Sequence, residues 1–300
     1  EKALDKLRGM FGFAVWNEKE QTLMLARDFF GIKPVYYAEI DGHFVFASEI
    51  KSILAFPGYE RKVNQKALEQ YLSFQYSPLE ETFFKGIYKL MPGHMLLYKN
   101  GIYEIKTYFK PKLTPGQWNH KTNMAQLRSQ LSEILKDSVK HHMLSDVEVG
   151  AFLSGGVDSG YLASSSGADQ AFTVGFDEGD RYSEVNKAAK VAEKAGLKHH
   201  VKIISKQEFW DALPDVMYHM DEPLADASAV ALYFLSKEAA GHVKVVLSGE
   251  GADELFGGYN IYREPESLKK IDWIPFGVRR VIGKLAAKLP DVKGRDFLIR

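Results

Sequence analysis

The residues best suited to chemistry cluster in two short glycine-rich stretches. The first, Ser154-Gly155-Gly156-Val157-Asp158-Ser159, follows an apolar run that ends at Leu153. Glycines let a backbone bend close to a ligand, and amides and hydroxyls at a strand-to-helix turn can face phosphate oxygens. The stretch departs from the P-loop pattern G-x-x-x-x-G-K-S/T, holding a carboxylate where that pattern has lysine. Asp158 would repel a phosphate unless a cation lay between them, so Mg²⁺ is expected beside it. The second stretch, Ser248-Gly249-Glu250-Gly251-Ala252-Asp253-Glu254, also follows an apolar run and places three acids within five residues. Left unneutralised, such a cluster is costly. A metal bound between Asp158 and Asp253 would relieve both stretches if the two loops are neighbours. For Glu254, a solvated acidic turn is an equal alternative.

The elements that must position these loops alternate between strand and helix. After residue 122, the runs VEVGAFL, AFTVGF, HHVKII and VKVVL read as strands. Leu127, Leu131, Ile134, Leu135 and Val139 recur at helical spacing and predict a long opening helix. Residues 154–160 read as a loop, with a helix from Tyr161 onward. A further helix is expected from Ser183 to Ala195, with Val185, Ala188, Ala189, Ala192 and Ala195 inward and Gly196 ending it. Ser205 and Glu208 form a capping-box pair at the start of another, which Pro214 is expected to kink. This alternation implies an α/β domain with a mainly parallel sheet, and ligands beyond the strands' carboxyl ends. From Met10 to Phe109, short aromatic and β-branched runs predict antiparallel strands with a helix near Gln65 to Tyr76. Asp41-Gly42 and Asn100-Gly101 suit tight hairpin turns there. Residues 111–121 are polar, with two prolines and a glycine, and suit a linker between domains 1–110 and 122–300.

Composition excludes several functions. Lys+Arg and Asp+Glu both number 39, so no overall field would gather nucleic acid. No run approaches the roughly 18–20 apolar residues that cross a bilayer, and a cytoplasmic protein without membrane partners is expected. Cysteine is absent, which excludes disulfides, thiolate metal sites and a cysteine nucleophile among these residues. His199-His200 and His141-His142 read as surface histidines, since adjacent side chains diverge on a strand or helix. Phe29-Phe30, Tyr36-Tyr37 and Phe83-Phe84 read as core, and Arg27, Asp28 and Lys33 as scaffold.

In their order and spacing, SGGVDS and SGEGADELFGGY resemble the synthetase domain of glutamine-hydrolysing asparagine synthetases. GMFGFAVWN, ARDFFGIKPVYYA and FASEIKSIL look like the later part of that family's N-terminal-nucleophile glutaminase domain, and DEPLADASAVALYFLS matches a further segment. The resemblance implies a mainly parallel-sheet, ATP pyrophosphatase-like domain preceded by a partial antiparallel glutaminase domain. It implies that Ser154, Gly155, Gly156, Asp158 and Ser159 hold the phosphates of ATP. Leu153, Val174, Ser248 and Gly249 would hold the nucleotide, and Asp158 and Asp253 would bind Mg²⁺. Glu250, with Asp253, would serve catalysis, Glu250 in forming and amidating an acyl-adenylate. The implied reaction converts aspartate to asparagine through a β-aspartyl-adenylate, with ammonia from glutamine, releasing AMP and pyrophosphate.

Some features depart from the family. Its glutaminase uses an amino-terminal cysteine, so the chain as given is not expected to hydrolyse glutamine. A catalytic lysine is implied past Arg300, and Gly160 replaces a common serine. Asp226 and Ser228 suit either the cleft or a helix cap. An acid substrate other than aspartate, as in β-lactam synthetases, and a non-catalytic nucleotide-binding homologue stay open, as does a homodimer.

Overall fold

The computed structural model describes residues 2–112, 123–177, 184–263 and 273–287, together with Glu266 and Lys269. The chain divides into two compact units, Glu1–Leu247 and Ser248–Arg300. Of the expected linker, residues 113–121 lie outside the described residues.

The first unit opens with the aromatic runs. They form β1 (Gly12–Asn17), β2 (Thr22–Arg27), β3 (Tyr36–Ile40), β4 (His43–Ala47), β5 (Ile87–Lys89), β6 (His94–Lys99) and β7 (Ile102–Thr107), with helices α1 (Ile50–Leu54) and α2 (Gln65–Phe74). Two antiparallel sheets result, in the orders β1-β2-β6-β7 and β4-β3-β5. Both expected hairpin turns have two residues in the left-handed region, Asp41 and Gly42 at φ 48° and 77° and Asn100 and Gly101 at 51° and 80°. That geometry matches the twist of the flanking strands. Leu25, Val35, Tyr37, Leu90 and Leu96 form one core, and Ala38, Ile40, Ile50, Ile53 and Ile87 another.

Asp28 organises the turn after β2. Its buried carboxylate accepts hydrogen bonds from the backbone N–H of Phe11, Phe30, Ile32 and Lys33, at 2.8–3.3 Å. Arg27 spans the same turn, donating to the carbonyls of Gly31, Lys33 and Leu90. Gathering those amides around Asp28 turns Phe30 outward. It is 60% exposed, against the expectation that it is core.

The remainder of this unit is α/β: α3 (Met124–His142), β8 (Val149–Phe152), α4 (Val157–Ser166), β9 (Gln170–Phe176), α5 (Val185–Ala195), β10 (Lys198–Ile204), α6 (Lys206–Asp211), α7 (Leu213–Met220), α8 (Ser228–Ala240) and β11 (Val245–Leu247). The strands pair in parallel in the order β10-β9-β8-β11. Side chains alternate across the sheet. Ala151, Leu153 and Ala171 meet α4 and α5 on one face, whereas Phe172, Val174 and Phe176 meet α7 and α8 on the other.

Several expectations are refined. The capping box at Ser205 and Glu208 is present, and the helix it opens breaks into α6 and α7, with Pro214 in the first turn of α7. Ala189 is exposed, and Val191 packs against the core in its place. The helical rotation of about 100° per residue puts 188, 191, 192 and 195 on one face. Gly196 ends α5 in the left-handed conformation as expected, while Ser183 lies outside the described residues. In α3 only Val139 is fully buried, and Leu131 and Ile134 remain 40% and 65% exposed. Among the described residues, no helix is long and apolar enough to cross a membrane. The second unit contains α9 (Ala252–Phe256) and α10 (Phe276–Ala286).

An acidic pair after α7 ties the β-rich and α/β parts of the first unit together. Asp221 accepts from Ile50 N at 2.7 Å and pairs with Lys51 at 2.9 Å. Glu222 accepts from Phe83 N at 2.8 Å and pairs with Lys89 at 3.3 Å. Bonding to Asp221 and Glu49 outweighs burial and raises the Lys51 pKa. The Asp221 side chain is only 8% exposed, so removing it would strand the Ile50 N–H and leave the Lys51 ammonium with Glu49 alone. Asp221→Ala is expected to cost about 1–3 kcal/mol, measured by urea denaturation, because the Ile50 N–H left without a partner pays its desolvation and the ammonium loses one of two carboxylates.

Candidate functional site

Strand order reverses beside β8. The chain runs β8, β9, β10 outward in one direction, then crosses the sheet through α6, α7 and α8 to place β11 on the other side of β8. Ligands of open parallel sheets bind beyond the carboxyl ends of strands at such a reversal. Ala151 of β8 is opposite Leu247 of β11, so both glycine-rich stretches begin at neighbouring strand ends.

The first stretch is a shorter loop than expected, because α4 starts at Val157 and not near Tyr161. Asp158 and Ser159 therefore belong to the helix's first turn. Gly156 is its N-cap residue and supplies no side chain to cap it. An anion placed there would meet amides at the positive end of the helix dipole. Ser154 Oγ and Ser159 Oγ lie 2.9 Å apart, and Ser159 Oγ also accepts from Ser154 N at 3.2 Å. Gly155 has φ +78°, and a Cβ there would come within 2.7 Å of Lys187 Cβ and 2.8 Å of Ala188 N. Glycine is thus required both for the turn and for the close approach of α5. Asp158 is exposed and makes no ion pair or hydrogen bond among the described residues.

Behind this loop, a buried relay holds its first residue. Leu153 N donates to Phe172 O at 2.9 Å, and Leu153 O accepts from Thr173 Oγ1 at 2.6 Å. His199 Nε2 lies 2.7 Å from the same hydroxyl. The one hydroxyl proton is committed to Leu153, so His199 must donate from Nε2. Burial lowers the His199 pKa below its ordinary value.

In the second unit, Gly251 (φ +87°) and Gly257 (φ +67°) bracket the single turn of α9. Asp253 and Glu254 are in that turn. The Asp253 carboxylate rests against Gly258, where a methyl group would overlap Oδ1. Glu254 accepts from Tyr259 Oη at 3.0 Å, and this bond pushes the Tyr259 pKa up to about 12. Ser248 Oγ reaches Glu250 Oε1 at 3.5 Å. Hard carboxylate oxygens without a protein cation among the described residues, as at Asp158 and Asp253, fit Mg²⁺.

Comparison with known proteins agrees with this arrangement. A family model described as asparagine synthase matches residues 130–296, and one described as a glutamine amidotransferase domain matches residues 1–109. The chain belongs to the asparagine synthase family. It is 43% identical over 306 residues to glutamine-hydrolysing asparagine synthetase 1 of Bacillus subtilis (strain 168), covering 100% of this chain and 48% of that protein. A putative glutamine-hydrolysing asparagine synthetase of Mycobacterium bovis is 41% identical over 309 residues, covering 100% of this chain and 47% of that protein. Amidase chyE of Penicillium rubens is 31% identical over 281 residues, covering 87% of this chain and 41% of that protein. The chain spans about half the length, or less, of these relatives.

Within this chain, the structure places the expected residues unequally. Ser154, Gly155, Gly156, Asp158 and Ser159 form one cradle. Leu153 is 1% exposed and buries its side chain among Ala151, Ala163 and Ala188. Val174 packs against the cluster of Ile204, Val216 and Val230. Asp226 Oδ1 accepts from Ser228 N at 2.9 Å, which caps the start of α8. Ser248, Gly249, Glu250 and Asp253 belong to the second unit. Sequence reading missed Thr173 and took His199 and His200 for surface residues. Both histidines are partly buried, because each face of a parallel strand is covered.

Two variants test the positioning. Thr173→Val keeps the shape but leaves the Leu153 carbonyl unpaired, an expected loss of about 1–3 kcal/mol in urea denaturation together with weaker ATP binding. Gly258→Ala should displace the Asp253 carboxylate and lower Mg²⁺-dependent ATP cleavage at least tenfold, with an unchanged circular dichroism spectrum.

Proposed function

We propose that the protein activates the side-chain carboxylate of aspartate with ATP and amidates it to asparagine, using ammonia released from glutamine and releasing AMP and pyrophosphate. Family membership supports this reading. The observation that carries it is the helix-capping glycine loop with an unpaired Asp158, leaving a strand whose parallel neighbour, β11, leads into SGEGADE. We assign 1–110 to a glutaminase-type domain, 111–121 to a linker and 122–300 to the ATP-using domain.

A carboxylate is a poor acyl donor, and joining it to AMP supplies a good leaving group. The amides of the Gly155-Gly156 turn and the hydroxyls of Ser154 and Ser159 bind the β- and γ-phosphates, exchanging their mutual hydrogen bond for phosphate oxygens. The relay from His199 through Thr173 to Leu153 fixes the loop's first residue, so the donors are oriented before the nucleotide arrives. When bound by Asp158 and Asp253, Mg²⁺ supplies positive charge to the departing pyrophosphate. Glu250 accepts a proton as ammonia attacks the β-aspartyl-adenylate. Glutamine hydrolysis is assigned to none of these 300 residues, since no cysteine is among them.

A second reading keeps adenylation and changes the acid. It is favoured by the likeness to a relative named an amidase. Product analysis of the full-length protein with Mg·ATP, aspartate and glutamine or ammonium separates the two. AMP, pyrophosphate and asparagine are expected, falling at least a hundredfold in Asp158→Ala. AMP formed only with another acid would favour the second reading, whereas ADP, or intact ATP with every acid tried, would overturn both.

A further inference from the structure

On the face of the parallel sheet covered by α8, three side chains from two elements converge. His200 is the third residue of β10, while Glu238 and His242 lie four residues apart where α8 ends. One ligating atom from each lies within 4.8 Å of the others. His242 Nε2 is 3.6 Å from Glu238 Oε1, and the imidazole centroids of His200 and His242 are 4.0 Å apart. We propose that His200, Glu238 and His242 form a binding site for a divalent cation of the zinc class, one that clamps the end of α8 to the sheet.

The donor set argues for that class. Two imidazole nitrogens and one carboxylate oxygen suit zinc and its late first-row neighbours, whereas Mg²⁺ and Ca²⁺ take oxygen ligands. Tetrahedral zinc, with ligands about 2.0–2.1 Å away, holds them roughly 3.3 Å apart, and side-chain rotation alone closes the present spacing. The surroundings resemble a metal site's outer shell. Gln170 Oε1 lies 2.8 Å from His200 Nε2, and Gln170 Nε2 donates to Glu148 Oε1 at 2.6 Å. Glu148 thereby keeps the amide oxygen turned toward the cluster, where it orients His200 or completes the coordination. Phe172, fully buried, stacks on His200 at 5.0 Å and floors the site with an apolar ring. His242 is exposed, which leaves a route for the ion to enter.

The cluster lies on the face of the sheet that carries Phe172 and α8, whereas Leu153 and α4 lie on the other. Gln170 opens β9, Glu148 immediately precedes β8, and His242 precedes β11, so the cluster sits at the strands' amino ends. The glycine loops leave β8 and β11, strands of four and three residues, and the register sets His200 opposite Phe172 and Phe172 opposite Phe152, two residues before Ser154. The ion's role is structural, since its ligands join β10 to the end of α8, and the inference does not rest on the synthetase reading. Neither histidine pair in the sequence suggested it, because His200 finds its partner 42 positions away.

The test titrates Zn²⁺ alone into chelator-stripped full-length protein by calorimetry and follows thermal unfolding with and without the ion. One equivalent per chain is expected, with micromolar or tighter affinity, and a rise in Tm of roughly 5 °C at a hundredfold excess over Kd. His242→Ala should weaken binding at least tenfold and remove the Tm rise, with Glu238→Gln as a second variant if the first folds poorly. His141→Ala/His142→Ala, altering histidines of another helix, should bind as the parent does. Saturating Mg·ATP should not compete. Absence of saturable binding, unchanged affinity in the cluster variants, or displacement by millimolar Mg²⁺ would overturn the proposal.

Discussion

The reversal of strand order at β8 is the constraint on which the rest of the α/β region depends. A central strand flanked by parallel neighbours on both sides must have both faces covered, and the backbone beyond its carboxyl end is then a polar opening in a packed layer. Small residues make the covering tight. Ala151, Ala163, Ala171, Ala188 and Ala192 form a cluster whose side chains barely separate the backbones of β8, α4 and α5. That proximity brings α5 against Gly155, where no side chain fits. The loop's shape is therefore set by helix packing as much as by its own glycines. A bulkier residue at position 188 would deform the cradle without touching a ligand.

Carboxylates in this chain divide by what surrounds them. Asp28 accepts four backbone N–H groups and is 1% exposed, and Asp221 and Glu222 each hold one N–H and one lysine. These acids are saturated, and their work is to hold turns and layers together. Glu254 is likewise engaged by Tyr259. Asp158, at the positive end of a helix, carries no such partner among the described residues. Residue type alone does not separate these roles. A carboxylate already filled with donors has no capacity for a cation, whereas one left bare beside a phosphate-type loop does.

Much of this was legible in the sequence, and the failures share a cause. Strand runs, hairpin dipeptides, the capping box at Ser205 and both glycine loops depend on local chemistry, and local chemistry is written along the chain. The start of α4 was misplaced because Val157, Asp158 and Ser159 lie within a motif that reads as loop, yet a glycine N-cap lets the helix begin inside it. Ala189 and Phe30 were misassigned because helical phase and the pull of Asp28 on neighbouring amides depend on three-dimensional partners. The histidines failed for a related reason. His199 and His200 point to opposite faces as expected, but each face supplies a partner distant in sequence: Thr173 on one and His242 on the other.

The two ends of the sheet thus carry different work, and α8 connects them. Its last turn lies by the strands' amino ends with Glu238 and His242, so the helix starts near the carboxyl ends, where Asp226 caps its first turn. Four residues after α8 the chain enters β11, and Leu247 delivers it directly into the acidic loop. Fixing the last turn of α8 against β10 therefore also fixes where β11 begins, and with it the register that sets Leu247 opposite Ala151. A cation beside His200 and His242 would stabilise the starting point of the acidic loop from the face of the sheet opposite Leu153 and α4.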